Sequence, residues 1–398
     1  MLGLSAVTWF VIAVIGYALL LLFLPREYMW IPFIAIVVAL TIIAYYIVPA
    51  ESDDLYRYYG LLNILREKGK AGLDYIVELN WYNWQTFITF RYYFYILSFF
   101  PNNHFLAAVT MFIVYGLMFL IMYKAAQRYR IGKTYVLLGT MFFLSTYWFY
   151  DTASGIRNGL AFAIVMACAY YHLVERRNVT FCLLGYVAAC LLHSSPILPA
   201  ALILITLLTI KINSQFMNII MVLGLGVGGA FIQILSQKTD NAFIAEIADK
   251  SADHSVGKGL NANTGFWVNI ATLAIVLLLL LYFSAYFTKD KKSDPFYRFY
   301  RYASTTSFFM IGCIFSSLIF LRFARWILPI MGALVFMVGM QKQEDYIKKQ
   351  PPDFIYNGEK KMVLRMRTQG VMLLIYFAYT CVHFWYACVG SSLIWMHF

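Results

Sequence analysis

The chain is predicted to be an all-α polytopic integral membrane protein of about twelve transmembrane helices (eleven to thirteen), with interfacial helices on its outer face. Three observations carry this. Of 398 residues, 62% are hydrophobic and only 13% charged, more apolar surface than a soluble domain can hide. Apolar runs near the ~20 residues that one crossing needs cover most of the length. The charges also sort by side: with the basic connectors placed inside, 20 of the 31 Lys and Arg lie there against 8 of the 19 Asp and Glu. The whole net charge of +12 then sits on one face, as the positive-inside rule expects.

Taken in order, the first apolar run (Leu4 to Leu24) lacks a basic leader and an A-x-A site, so it reads as a span rather than a cleaved signal. A second follows from Trp30 to Val48. The segment from Glu51 to about Asn103 is read as an outer segment, with Trp84 to Phe100 an interfacial or re-entrant helix, because a full crossing would place the basic connector after it outside. Spans near Phe105 to Tyr123, Gln215 to Leu235, Gly265 to Phe287 and Gly370 to Gly390 complete the single crossings.

Three longer stretches must be hairpins. Thr134 to Val174 would be ~60 Å as one helix, twice the hydrocarbon thickness. Its polar apex is Asp151-Thr-Ala-Ser-Gly-Ile-Arg157-Asn158. Val179 to Ile210 turns at His193-Ser-Ser-Pro196, and Ser304 to Met340 at Arg322-Phe-Ala-Arg325. Connectors Lys124–Lys133, Glu175–Arg177, Lys289–Arg301 and Lys342–Arg367 go to the cytoplasm, which puts all three apices, and both termini, outside. A second outer segment, about 237 to 264, contains a short amphipathic helix around Asn241–Asp249 and a glycine-rich stretch that fits no phosphate loop. A cytoplasmic loop, about 341 to 368, closes a single membrane domain.

Function classes narrow accordingly. The basic balance is membrane anchoring, so no nucleic acid is expected. The six cysteines lie in or beside apolar runs without a C-x-x-C pair; they read as packing residues, and neither metal nor cofactor is expected.

Arginine at membrane depth is costly unless paired or functional. Arg157 opens a helix; Arg322 and Arg325 share a helix face; Arg57 follows Asp53-Asp54-Leu-Tyr56; His193 ends a helix. A helix start with several guanidinium forks suits phosphate oxygens. Each has a plainer role open to it. Arg157 can tie back to Asp151, Arg57 to Asp53 or Asp54, Arg325 can snorkel, and His193 can be a helix cap. Arg91, among tyrosines, can be an interfacial anchor, and His254 a solvated loop histidine.

The ordered set Asp53-Asp54-Leu-Tyr56-Arg57-Tyr-Tyr59, Ile156-Arg157-Asn-Gly-Leu160-Ala161, His193-Ser194-Ser195-Pro196 and Leu321-Arg322-Phe-Ala-Arg325-Trp326 resembles the EpsG/Wzy-type bacterial polysaccharide polymerases. The first motif departs from that family's more usual G-T-D-Y-x-x-Y, and Pro196 stands where a small residue is more common. The resemblance implies a GT-C-like architecture in the bacterial plasma membrane, active on its outer face, making exopolysaccharide, capsule or O-antigen. It implies a metal-independent glycosyl transfer from undecaprenyl diphosphate to the terminal sugar of an incoming lipid-linked repeat unit. Arg157, Arg322 and Arg325 would then meet the leaving diphosphate, and His193 or an outer carboxylate would take the acceptor proton. Asp53, Asp54, Tyr56, Arg57, Arg91, Asp151, Asn158 and His254 would bind substrate. The bilayer, a flippase and a chain-length regulator would be its partners. A ligase of the same class, a flippase or transporter of lipid-linked sugars, and a membrane acyltransferase remain open. A transporter should carry mid-bilayer charges and internal repeats, and no repeat is visible.

Overall fold

A computed structural model describes residues 5–79, 84–223, 264–288, 294–314, 317–349 and 353–389, and among them the chain is helical with no strand. The helices are α1 (Ala6–Phe23), α2 (Trp30–Tyr45), α3 (Asp54–Leu79), α4 (Ile88–Leu97), α5 (His104–Arg128), α6 (Lys133–Thr146), α7 (Phe149–Ser154), α8 (Ile156–Tyr170), α9 (Val179–Cys190) and α10 (Ile197–Leu208). Then come α11 (Ser214–Leu223), α12 (Thr264–Thr288), α13 (Tyr297–Cys313), α14 (Ser317–Trp326), α15 (Leu328–Lys348) and α16 (Asp353–Val389).

The centre is α15, buried on every side from Leu328 to Gln341. A helix apolar all round belongs inside a bundle. Around it pack α6, α12, α14 and α5, and α16 closes against α6. Small residues let the axes approach: a side chain at Gly332 would meet the Phe142 ring of α6 at 2.7 Å. Tyr376 of α16 lies flat on Phe336 with centroids 3.7 Å apart, and Phe142 stacks on Tyr376 at 4.9 Å. A second bundle side is built by α1, α2, α5 and α8.

The basic connectors meet at one end. Arg128 pairs with Glu175 at 2.8 Å, and Lys342 with Asp294 at 2.8 Å. The Gly132 amide donates to the Gln341 side chain at 2.9 Å, and Lys133 donates to the Leu22 carbonyl at 3.1 Å. Arg301 donates to the Ile212 carbonyl at 3.3 Å. These contacts join the ends of α1, α5, α6, α8, α10, α12, α13 and α15, an arrangement in keeping with alternating passes between them.

Among the described residues, six helices are long and apolar enough to cross a membrane: α1, α2, α5, α8 with its following π turn, α12 and the 368–389 part of α16. The pair α14–α15, bent by 42°, makes a seventh if counted as one span. The expected twelve full-length spans are therefore not seen as such. Helices α9 and α10 have 12 residues each and α6 has 14. The reason is local. The apices at Asp151 and His193 use up part of each hairpin's length, the first as the short helix α7 between two breaks and the second as a turn, so the flanking helices stop short. Irregular backbone at that depth is tolerable where protein buries it.

Two breaks shape the end opposite the basic connectors. Pro329 lies in the first turn of α15, so the Arg325 carbonyl has no amide four residues on, and the chain bends. Gly155 separates α7 from α8; its amide donates to the Asp151 carbonyl at 2.7 Å, and a Cβ there would meet that oxygen at 2.6 Å. In α3 the bend falls at Gly69, whose φ of +55° favours glycine. The 10-residue α4 is ~15 Å long, too short to cross, and packs on α3 and α5. The expected helix near Asn241–Asp249, and His254, lie outside the described residues.

Candidate active site

The end opposite the basic connectors holds a cavity of about 280 Å³ lined by Asp54, Asp151, Ser154, Asn158, Arg322 and Arg325, with Gly155, Leu321 and Trp326 as its other walls. Four elements meet there: the start of α3, α7 and α8 on either side of the Gly155 break, and α14 before its bend. Each break serves this placement. Gly155 puts Asp151 and Asn158 on either side of a turn, and the bend at Ile327 aims the α14 face bearing Arg322 and Arg325 at that turn.

Arg325 Nη1 donates to Asp151 Oδ2 at 2.9 Å, and its guanidinium stands 4.6 Å over the Trp148 ring. Asp151 is thus tied to Arg325, 174 positions away, as well as lying near Arg157 in sequence. Arg322 Nη1 donates to the Ser195 hydroxyl at 2.9 Å, a neutral partner. Arg157 lies over the Phe90 ring at 5.2 Å and close enough to Arg322 for the two like charges to repel.

His193 is buried and stacks on Phe87, with rings 10° from parallel. The Ser195 amide donates to His193 Nδ1 at 3.0 Å. Neutral imidazole carries one proton, so an acceptor at Nδ1 leaves the N–H at Nε2. Ser195 therefore links two candidates: its backbone sets the His193 tautomer and its hydroxyl holds Arg322.

At the start of α3, Asp53 accepts from the Ala50 amide at 3.0 Å and from the Tyr150 hydroxyl, fastening α3 to α7. Burial, then that hydrogen bond and the Asp53 charge, push the Tyr150 hydroxyl up from its ordinary pKa. Arg57 lies 3.5 Å from Asp54, both largely exposed. Tyr56 is exposed on α3. Arg91 sits by the Tyr92 ring on α4, 5.3 Å from its centroid, and is not among the cavity walls.

Of the expected residues, the structure gathers Asp54, Asp151, Asn158, Arg322 and Arg325 in the cavity. Arg157 and His193 stand against it through Arg322 and Ser195. Sequence reasoning missed Trp148, Trp326, Phe87, Phe90 and Tyr150. Phe87 and Phe90 are three apart, the spacing of a helix face, but nothing in a run of aromatics marks which ones leave the core. Trp84 is fully buried against Phe90 and Phe94, so it packs α4 and is no part of the cavity. Among the described residues, no three His, Cys, Asp or Glu side chains gather as metal ligands.

The profile of the EpsG family matches residues 30–350, a stretch that includes every residue of the cavity. The chain belongs to the EpsG family. For an EpsG family member, the all-helical bundle with its apolar spans indicates a multi-pass membrane protein with a polysaccharide-polymerase-like function. No curated protein and no solved structure matches the chain.

Proposed function

We propose that this EpsG protein is a glycosyltransferase of the bacterial plasma membrane that polymerises lipid-linked repeat units at the arginine-lined cavity, on the outer face. The supporting observation is the cavity itself, which Arg322, held by the neutral Ser195 hydroxyl, and Arg325 line together. Guanidinium forks turned to one cavity suit the oxygens of a diphosphate. The lipid diphosphate of the donor is a dianion that gains a further negative charge as its bond to the glycan breaks, and a metal-independent polymerase must meet that charge with its own cations. In this reading the short passes count as crossings, giving twelve in total with both termini outside.

The acceptor sugar's hydroxyl oxygen attacks the anomeric carbon of the growing glycan. The bond from that carbon to the diphosphate oxygen breaks, and undecaprenyl diphosphate leaves with the electron pair. Arg157, Arg322 and, once released from Asp151, Arg325 gather the charge developing on the leaving oxygens. His193, protonated at Nε2, is a donor to that anion or to a sugar hydroxyl rather than the base. The hydroxyl proton passes to Asp54, the cavity carboxylate whose side chain is most open. Asp151 and Asn158 orient the sugars, with Trp326 as an apolar wall.

The experiment is direct. Cells carrying Arg157→Lys or Arg322→Lys should keep the protein but lose long polymer, with single lipid-linked units accumulating outside. Normal polymer with both variants would remove the cavity from the chemistry.

A further inference from the structure

Two apolar cavities lie along the junction of α2 and α5. One, of about 360 Å³, is lined by Trp30, Phe33, Val37, Phe119 and Tyr123 among others; the second, of about 300 Å³, by Thr41, Ile42, Tyr45, Phe105 and Val109. Both are walled by Phe112, so they form one groove. The only hydroxyl in its middle, on Thr41, already donates to the Val37 carbonyl at 2.8 Å. Nothing there asks for water. The groove follows all 16 residues of α2, ~24 Å at 1.5 Å per residue. A phospholipid acyl chain fills one leaflet, ~15 Å of a ~30 Å core. The groove matches a single chain longer than that.

Its upper end is polar. Tyr45 packs against His104, and Tyr59 of α3 packs against the same ring. Asn102 donates to the Tyr45 hydroxyl at 3.4 Å, and Asn103 to Asn63 at 2.9 Å. Arg66 donates to Asn63 at 3.1 Å and to the Phe100 carbonyl at 3.1 Å. Tyr59, Asn63 and Arg66 share one face of α3 by their spacing. Four buried atoms of this network have no hydrogen-bond partner among the described residues: Arg66 Nη2, Tyr59 Oη, His104 Nδ1 and Asn103 Oδ1. Buried polar atoms are normally paired. Arg66 and Tyr59 offer donors, and the positive end of the 25-residue helix α5 lies beside them, its first amide, at His104, already taken by the Asn102 side chain at 2.9 Å. This end is complementary to an anion rich in acceptors.

We propose that the α2–α5 groove seats the polyprenyl chain of a lipid-diphosphate-linked glycan, with Arg66 and Tyr59 receiving its diphosphate beside the positive end of α5. The proposal rests on the polymerase reading, which requires two lipid-linked substrates and hence two seats. Helix α3 joins them: Asp54 lines the reaction cavity and Arg66 lies twelve residues further on, ~18 Å along the helix, a gap that a few sugar rings bridge.

The test uses the full-length protein in phosphatidylcholine nanodiscs with a photoreactive benzoylphenylalanine at position 112 and undecaprenyl diphosphate as probe. A cross-link is expected that excess phosphatidylglycerol does not displace. Arg66→Gln should reduce it about tenfold, the worth of a charge-assisted hydrogen bond. Ala108 is a further wall of the second cavity, and Ala108→Phe, which narrows the groove there, should reduce it as well. No cross-link, displacement by phosphatidylglycerol, or indifference to both substitutions overturns the proposal. If the cross-link fails while Arg157→Lys and Arg322→Lys abolish polymer in cells, the groove falls and the polymerase stands. If the cross-link behaves as expected while polymer survives both lysine variants, the polymerase reading falls and the groove remains a polyprenyl-diphosphate site.

Discussion

Arg325 and Asp151 form an ion pair at 2.9 Å that joins α14 to α7 in the wall of the reaction cavity. The pair is partly exposed, with side chains 31% and 22% accessible. It therefore stabilises the fold only modestly, by roughly 1 kcal/mol. A double-mutant cycle of Arg325→Gln and Asp151→Asn, read from denaturation in detergent, should give a coupling of about that size. Each single variant should lower polymer yield, Arg325→Gln more strongly, because Asp151 holds the guanidinium that the diphosphate is proposed to claim. A coupling near zero would mean that the two groups are held apart in the membrane.

Arg157→Lys and Arg322→Lys separate charge from shape. Lysine keeps the positive charge but loses the planar fork that grips two phosphate oxygens. Each should cut turnover by at least about tenfold, with near-normal protein in the membrane. For Arg322 the lysine also cannot hold the Ser195 hydroxyl in the same geometry. Turnover within twofold of the parent would reduce these arginines to structural ties.

Gly155→Ala should disable the site without touching a charged group. The added methyl would meet the Asp151 carbonyl oxygen at 2.6 Å, and that oxygen is backbone, so the α7–α8 break must shift. We expect loss of polymer and a lower denaturation midpoint. Gly60→Ala is the contrast: nothing lies within 4 Å of its added methyl, and the helix there is regular. It should be neutral or stabilise the protein by up to about 1 kcal/mol. Equal behaviour of the two variants would refute the break as a positioning device.

Sidedness is tested with introduced cysteines in a background lacking the six native ones. Cysteine at Tyr56 should react with an impermeant thiol reagent applied to intact cells. Cysteine at Arg177 should react only after permeabilisation. Both positions are exposed, so access is not limited by packing. Labelling of position 177 in intact cells would invert the topology and put the cavity on the cytoplasmic face.

The fold class was legible because hydrophobic length and charge asymmetry are global signals that survive local error. The shared face of Arg322 and Arg325 was legible from a spacing of three. The count of full-length spans was not, since length alone cannot show that Tyr147 and Leu191 already end their helices. The tie of Asp151 to Arg325 was also hidden, because the two stand 174 positions apart and Arg325 arrives only when α14 bends at Ile327. Phe87 and His193 could not be paired from sequence, because ring stacking between distant segments leaves no periodic trace.

The roles of His193 and Asp54 give the sharpest division. The Ser195 amide on Nδ1 leaves His193 a donor at Nε2. Glutamine can also donate from a similar reach but cannot act as a base. His193→Gln should therefore retain measurable polymer, while His193→Ala should stop at single lipid-linked units with flipping intact. Asp54→Asn removes the proposed proton acceptor and keeps the shape; it should abolish chain growth by about a hundredfold or more. If His193→Gln is as dead as His193→Ala and Asp54→Asn is active, the imidazole is the base after all, and the Ser195 amide must release Nδ1 when substrate binds.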